Sequence, residues 1–210
     1  TVYVTANPQL YRHRDWLEPE FHAVHDIWMD DWDDETETVL PETLSERAHH
    51  YAERYPNKRL FVHYIQPHYP FIASDVQPFD HEQAFQRPDE AGSWHQVLTG
   101  DLEVNTEDVW RAYRANLDRA LSSVSDLIDD LAGRTVITAD HGNMVGERAR
   151  PFPMREWGHP RGIYTPELVK VPWHVCEGDR REITDERRVD DGDDIEEDVV
   201  TERLANLGYK

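Results

Sequence analysis

One long amphipathic segment restricts the folds open to this chain of 210 residues. The stretch from Asn105 to Gly133 begins with a residue that can cap a helix and ends with a glycine that can terminate one. Its apolar residues recur every three or four positions. They predict one buried stripe made of Val109, Tyr113, Leu117, Leu121, Val124, Ile128 and Leu131. The run TVITAD at 135–140 follows directly, so the segment predicts a helix that leads into a strand.

The other predicted elements alternate in the same way. Residues 1–8 predict a strand and a turn, 40–56 a helix that Pro56 ends, and 59–65 a buried strand. Residues 168–175 predict a further strand. Alternating strands and helices are typical of an α/β architecture with a mostly parallel sheet sandwiched between helices. The segment 13–36 has no clear period and is interpreted as a loop with a short helical piece.

The length suits a single α/β domain over residues 1–210, with a core of its own. Prolines, glycines and acidic residues make 73–104 an irregular insertion. Residues 177–198 are interpreted as an acidic loop, and a closing helix is predicted from about residue 196 to 209.

Acidic residues dominate the charge. Asp and Glu number 43 against 22 Lys and Arg, which gives a formal net charge of −21. Only three of the basic residues are lysines. This composition favours a halophilic protein whose self-repulsion is screened by concentrated salt, although an ordinary acidic protein is the alternative. The negative electrostatic potential of such a protein also repels nucleic acid and anionic membranes, so neither is expected as a partner.

Cysteine content and hydropathy further limit the kind of protein that this chain can be. Cys176 is the only cysteine, so no disulfide framework exists. The apolar runs are too short to span a bilayer, and we therefore expect no membrane span. A cytoplasmic protein of a high-salt organism is expected, with an N-terminal signal left open because the sequence begins at Thr1.

The end of the predicted strand at 135–140 carries residues that can bind a metal. Asp140 and His141 stand together there, and ligands of parallel α/β sheets bind at the carboxyl ends of strands. A carboxylate oxygen with an imidazole nitrogen suits Zn²⁺, Mn²⁺ or a similar divalent ion. Gly142 allows a tight turn and a close backbone approach. The alternative is that Asp140 caps a following helix and that His141 is merely exposed.

A second strand end carries histidines. His63 lies on the predicted strand at 59–65 and is interpreted as a packed, hydrogen-bonded core residue. His68 stands between Pro67 and Pro70, where it is either a functional residue or an exposed loop residue.

Three stretches, taken in order, carry a resemblance. They are FVHYIQPHYPF at 61–71, YRANLDRALSSVSDLIDDLAGRTVITADHGNMVGE at 113–147, and GHPRGIYTPELVKVPW at 158–173. Together they resemble the second half of haloarchaeal-type, sulfatase-like members of the alkaline phosphatase superfamily. The similarity covers residues 59–175 and implies an alkaline phosphatase-like fold.

The resemblance also implies a function. It implies a hydrolase of sulfate or phosphate esters that depends on a divalent metal ion (Zn, Mn, Mg or Ca) and acts on a small anionic ester. Asp140, His141 and His159 match positions that bind metal, and His68 matches a histidine that contacts the anionic group or protonates the leaving oxygen. A metal would lower the pKa of a nucleophile and neutralise charge on the transferred group.

Arginines near the third stretch are candidates for substrate binding. The candidates are Arg155 and Arg161, because the guanidinium group of arginine can donate two parallel hydrogen bonds to a tetrahedral oxyanion. Pairing with the abundant surface acids is the alternative.

The sequence departs from the family pattern at the nucleophile. Cys176 lies after the last motif, and Thr5 has no acidic neighbour. We therefore expect the nucleophile on an absent N-terminal segment, so that this chain alone is inactive. The alternatives are a degenerate domain that binds a metal or an anion without catalysis, a phosphoglycerate mutase-like phosphotransfer enzyme, and a structural domain without a site.

Overall fold

A computed structural model describes residues 1–76, 78, 93–100, 102–151, 153–186 and 195–209 of the chain. Over those residues it is a mixed α/β structure. No helix in this described part combines the length and the apolar character that crossing a membrane requires.

The elements are numbered in chain order. The strands are β1 (Val2–Thr5), β2 (Ala23–Asp26), β3 (Leu60–His63), β4 (Thr135–Thr138), β5 (Met144–Arg148), β6 (Arg155–Gly158) and β7 (Trp173–Cys176). The helices are α1 (Gln9–Arg12), α2 (Arg14–Leu17), α3 (Ile27–Asp30), α4 (Pro41–Arg54), α5 (Ser93–Thr99), α6 (Thr106–Asp130), α7 (Pro166–Val169) and α8 (Glu197–Asn206).

A three-stranded parallel sheet forms the best-packed part of the molecule. Its strand order is β2-β1-β3, and Thr5 is in register with Asp26 on one side and His63 on the other. The carboxyl ends of all three strands therefore meet at one edge. A single buried cluster lies against this sheet and includes Val2, Val4, Ala6, Ala23, Ile27, Trp28, Val39, Leu44, Ile65, Val200, Leu204 and Leu207.

Strand β2 lies where the sequence predicted a loop. Residues Ala23–Asp26 pair in parallel with β1, although the surrounding segment 13–36 has no clear period. Only four residues form this strand, which is too short for a hydrophobic period to show. The interpretation of this segment as loop was therefore wrong at β2.

Strand β4 does not join the parallel sheet. It pairs antiparallel with β7 in a separate two-stranded sheet, with Thr138 opposite Trp173. Strands β5 and β6 form another antiparallel pair. The prediction of a parallel sheet is thus confirmed for β1 and β3 and is wrong for β4.

Helix α6 confirms the predicted helix but buries a different face. The Asn105 side chain accepts a hydrogen bond from the Glu107 amide and caps it. The buried residues are Val109, Ala112, Asn116, Ala120, Ser123 and Leu127. Of the predicted stripe, Leu117 and Leu121 are exposed, with 37% and 39% of their surfaces accessible. The helix packs on α4, where the Ser45 hydroxyl donates to the Ser123 carbonyl at 3.1 Å.

The two segments predicted as irregular are described only in part. Helix α5 lies within the predicted insertion at 73–104, of which 77, 79–92 and 101 lie outside the described residues. Of the predicted acidic loop, residues 177–186 form no helix or strand, and 187–194 lie outside the described residues. The closing helix is confirmed as α8.

Candidate functional site

Three histidines that are distant in sequence lie together. His68 follows β3, His141 follows β4 and His159 follows β6. The ring centroids of His141 and His159 are 4.5 Å apart, and those of His68 and His159 are 5.8 Å apart. We call His68, His141 and His159 the histidine cluster. Each residue is delivered by the end of a different strand, so the fold and not the local sequence brings them together.

Asp140 belongs to the same site. Its Oδ2 lies 3.6 Å from Nε2 of His141, while its Oδ1 accepts a hydrogen bond of 2.8 Å from the His141 amide. Nδ1 of His141 lies 2.8 Å from the Gly142 carbonyl. Because a carbonyl can only accept, Nδ1 carries a hydrogen, and in the neutral ring Nε2 is the nitrogen with the lone pair. The two side chains thus face the same side of the turn.

The turn at Asp140 is not a helix cap. Strand β5 follows it, and Asp140 accepts the amide one residue on and not those two or three residues on. The capping alternative was therefore wrong.

Gly142 permits a close backbone approach at this turn. Its amide donates to the Leu168 carbonyl at 2.8 Å, and a Cβ at this position would clash with the carbonyl oxygen of Glu167. Any other residue would push the turn away from α7, so the glycine fixes the position of Asp140 and His141.

His68 is held by a polar contact with helix α6. The Asn116 side chain donates to the carbonyls of His68 and Pro70 at 3.1 and 2.8 Å, and it accepts from the Ala73 amide at 3.1 Å. Asn116 is completely buried. One side chain therefore fixes the loop that presents His68.

Burial controls the protonation of the cluster. Desolvation lowers the pKa of His68 to about 4, against a smaller opposing effect of the Tyr69 carbonyl, which lies 2.7 Å from Nδ1. Desolvation also lowers the pKa of His159, helped by the nearby His141. Both imidazoles are therefore neutral at pH 7, and Nε2 of His68 has a lone pair available.

The donors present fit a divalent cation in part. Ligand atoms about 2.0–2.2 Å from a tetrahedral ion are roughly 3.4 Å apart, close to the Asp140–His141 separation of 3.6 Å. Within the described residues, however, no three His, Cys, Asp or Glu side chains are placed to hold one ion together. Two donors suit a metal, and a full coordination sphere needs a further one.

The two candidate arginines lie on nearby elements. Arg155 is on β6 and donates to the Gly146 carbonyl at 2.8 Å, so at least one of its N–H groups binds the hairpin backbone. Arg161 is exposed and follows His159 by two residues. Their predicted role in substrate binding stays a prediction.

Two potential nucleophiles, Thr5 and Cys176, are poorly placed. Thr5, at the end of β1, is completely buried, and its Oγ1 bonds to the Asn7 backbone. Cys176 is on β7, opposite the first residue of β4 and thus at the far end of that strand from Asp140. His63, as predicted, is hydrogen-bonded within the fold, with Nδ1 2.5 Å from the Tyr3 hydroxyl.

Two residues of the site were missed by sequence reasoning. Asn116 lies next to the predicted apolar stripe, and an asparagine inside a long helix was a signal because its intrinsic helix propensity is poor. Tyr209 lies against His68 and His159, with ring centroids 5.4 and 6.4 Å away. Nothing local in the sequence indicates that contact, since 141 positions separate Tyr209 from His68.

No family model, curated protein or solved structure matches the chain. The functional argument therefore rests on the motifs and on the geometry of the site.

Proposed function

We propose that this chain forms the metal- and substrate-binding part of a divalent metal-dependent hydrolase of sulfate or phosphate esters. The observation that supports it is the meeting of His68, Asp140, His141 and His159, which come from three separate strand ends. These are the residues that the sulfatase-like motifs indicate. The structure is of the mixed α/β class, and an alkaline phosphatase-like arrangement of it belongs to the same proposal.

Each residue has a role in this proposal. Asp140 and His141 supply two metal ligands, and His159 stands beside them. The metal, when bound, supplies positive charge that stabilises the anionic ester and activates a nucleophile. His68, whose Nε2 lone pair is free, contacts the transferred group or exchanges a proton with the leaving oxygen. Arg155 and Arg161 are the proposed contacts of the anion.

The nucleophile and the missing ligand are proposed to come from outside the described residues. We expect the 210-residue chain to hydrolyse neither aryl phosphates nor aryl sulfates, and a longer form with upstream sequence to hydrolyse one of them. Turnover by the 210-residue chain that Asp140→Ala abolishes would show that the nucleophile lies within it.

Metal binding provides a direct test. Titration with Mn²⁺ or Zn²⁺ in molar salt should give a weak site that Asp140→Ala and His141→Ala each abolish. The matched control is Asp129→Ala, which removes an exposed carboxylate from the end of α6. In a crystal soaked with either ion, we expect metal density about 2.0–2.3 Å from both Asp140 and His141. Equal binding by all three variants would reject the site.

The second candidate is a domain that binds a metal or an anion without catalysis. It is favoured by one observation: the Thr5 hydroxyl is bonded to the Asn7 backbone, and the Cys176 thiol lies at the end of the β4–β7 pair that is far from Asp140. Metal binding without turnover by any longer form would support it over the hydrolase.

A further inference from the structure

The last described residue, Tyr209, packs against the histidine cluster. Its ring is nearly parallel to that of His68, with an interplanar angle of 17° and centroids 5.4 Å apart. It also meets His159 at 6.4 Å. Because the centroids of His68 and His159 are 5.8 Å apart, the three rings form a triangle in which each ring lies near the other two.

Contacts outside the histidine cluster hold Tyr209 in place. Its amide donates to the Leu204 carbonyl at 2.8 Å, and the ring packs against the core cluster of the parallel sheet.

The phenol stays protonated at physiological pH. Burial raises the pKa of Tyr209 to about 12, and the nearby Asp140 carboxylate acts in the same direction. Tyr209 thus places a neutral aromatic ring against His68 at neutral pH.

We propose that Tyr209 is a positioning residue of this site: it holds the His68 ring against His159, in the plane that leaves Nε2 as the nitrogen available to a ligand. The Tyr69 carbonyl selects the tautomer of His68, and Tyr209 fixes the orientation of its ring. Its importance for turnover rests on the proposed function, whereas the positioning itself does not.

The test follows the hydrogen on Nδ1 of His68 by NMR in a chain with ¹⁵N-labelled histidine, with the signal assigned through His68→Gln. Tyr209→Leu removes the stacked ring, and the Nδ1 hydrogen should exchange with water about two- to tenfold faster. Tyr209→Phe keeps the ring and should leave the exchange rate unchanged. The matched control is Tyr164→Leu, which alters a tyrosine that is 82% exposed and should change nothing.

Two results would overturn the proposal. One is an unchanged exchange rate in a folded Tyr209→Leu chain, and the other is a Tyr209→Phe chain that behaves like the leucine variant. If a thermal melt shows that Tyr209→Leu has lost its fold, Tyr209→Met replaces it under the same criterion, because methionine fills comparable space without a ring. Failure of the hydrolase proposal would appear as absent metal binding in the unaltered chain and would not affect this measurement.

Discussion

The two main β regions of the molecule differ in how completely they are buried. In the parallel sheet, all four residues of β1 are buried, and its inner face packs against α4 and α8. In the antiparallel pair of β4 and β7, none of the eight residues is buried. The first region has a core that can supply stability, and the second presents the carboxylate and imidazole of Asp140 and His141. The candidate site lies where they meet, so its geometry depends on a region that contributes little stability of its own.

The largest expected effect concerns salt and would act on both regions. The net charge of −21 should make the fold dependent on screening, so lowering NaCl from molar to tens of millimolar should abolish the cooperative thermal melt. The melt is followed by near-UV circular dichroism. Potassium chloride at the same concentration is the control, because it supplies the same ionic strength and should support the fold equally. A melting temperature that stays constant across the range would contradict the halophilic interpretation.

The next prediction contrasts a core leucine with an exposed one. Leu44 on α4 is 1% exposed, and Leu44→Ala should lower the free energy of unfolding by about 2–5 kcal/mol. Leu121 on α6 is 39% exposed, and Leu121→Ala should change it by no more than about 0.5 kcal/mol. Urea denaturation measures both. A loss at Leu121 as large as that at Leu44 would mean that the apolar stripe predicted for α6 is buried in the folded chain.

This contrast shows how far the sequence could predict the fold. Helix α6 was predictable because 25 residues give a clear period and Asn105 marks its start. Its buried face was not, because it is set by distant segments: Ser45 of α4 donates to the Ser123 carbonyl, and Ala112 packs with Tyr69 and Phe71. Strand β2 was not predictable from four residues, nor was the partner of β4, because pairing depends on contacts between distant segments.

The candidate site was predictable to a similar degree. Asp140 and His141 stand out because they follow a strand directly, and His68 and His159 were indicated by the resemblance. That these four residues lie together could be seen only in the folded structure. Tyr209 and Asn116 act through tertiary contacts with His68, and such contacts leave no spacing in the sequence.

A buried carboxyl in the parallel sheet leads to a prediction on pH. Burial raises the pKa of Asp26 to about 6, although its Oδ1 accepts a hydrogen bond from Trp28 Nε1 at 2.8 Å. The folded state therefore binds a proton more tightly than the unfolded chain, whose Asp pKa is about 3.9. This group stabilises the fold fully below about pH 4, and that contribution is lost as the pH rises to about 6.

The variant Asp26→Asn isolates this effect. It keeps an oxygen for Trp28 and cannot ionise, so above pH 7 it should be more stable than the unaltered chain by up to about 3 kcal/mol. Below pH 4 the two should match. Urea denaturation across pH, followed by tryptophan fluorescence, measures the difference.

A further effect on stability bears most directly on the site. Asn116→Leu removes the side chain that bonds to the backbone at His68, Pro70 and Ala73, and it leaves those buried groups without their partner. We expect a loss of about 1–3 kcal/mol in the free energy of unfolding. The amide hydrogen of Ala73 should exchange faster with water. Asn116→Asp keeps the oxygen that accepts from the Ala73 amide but loses the donor to the His68 and Pro70 carbonyls. The Ala73 amide hydrogen should therefore stay protected from exchange with water.

Asn105→Ala provides the comparison on the same helix. It removes the cap of α6 and should lower stability by about 1 kcal/mol, yet leave the exchange of Ala73 unchanged, because the cap does not touch the loop that presents His68. The two variants would then lose stability for different reasons. The effect of Asn105→Ala would be confined to the end of the helix, and the effect of Asn116→Leu would extend to the loop that presents His68. If both variants exposed the Ala73 amide equally, the loop would depend on the helix as a whole, and Asn116 would have no special part in holding His68 in place.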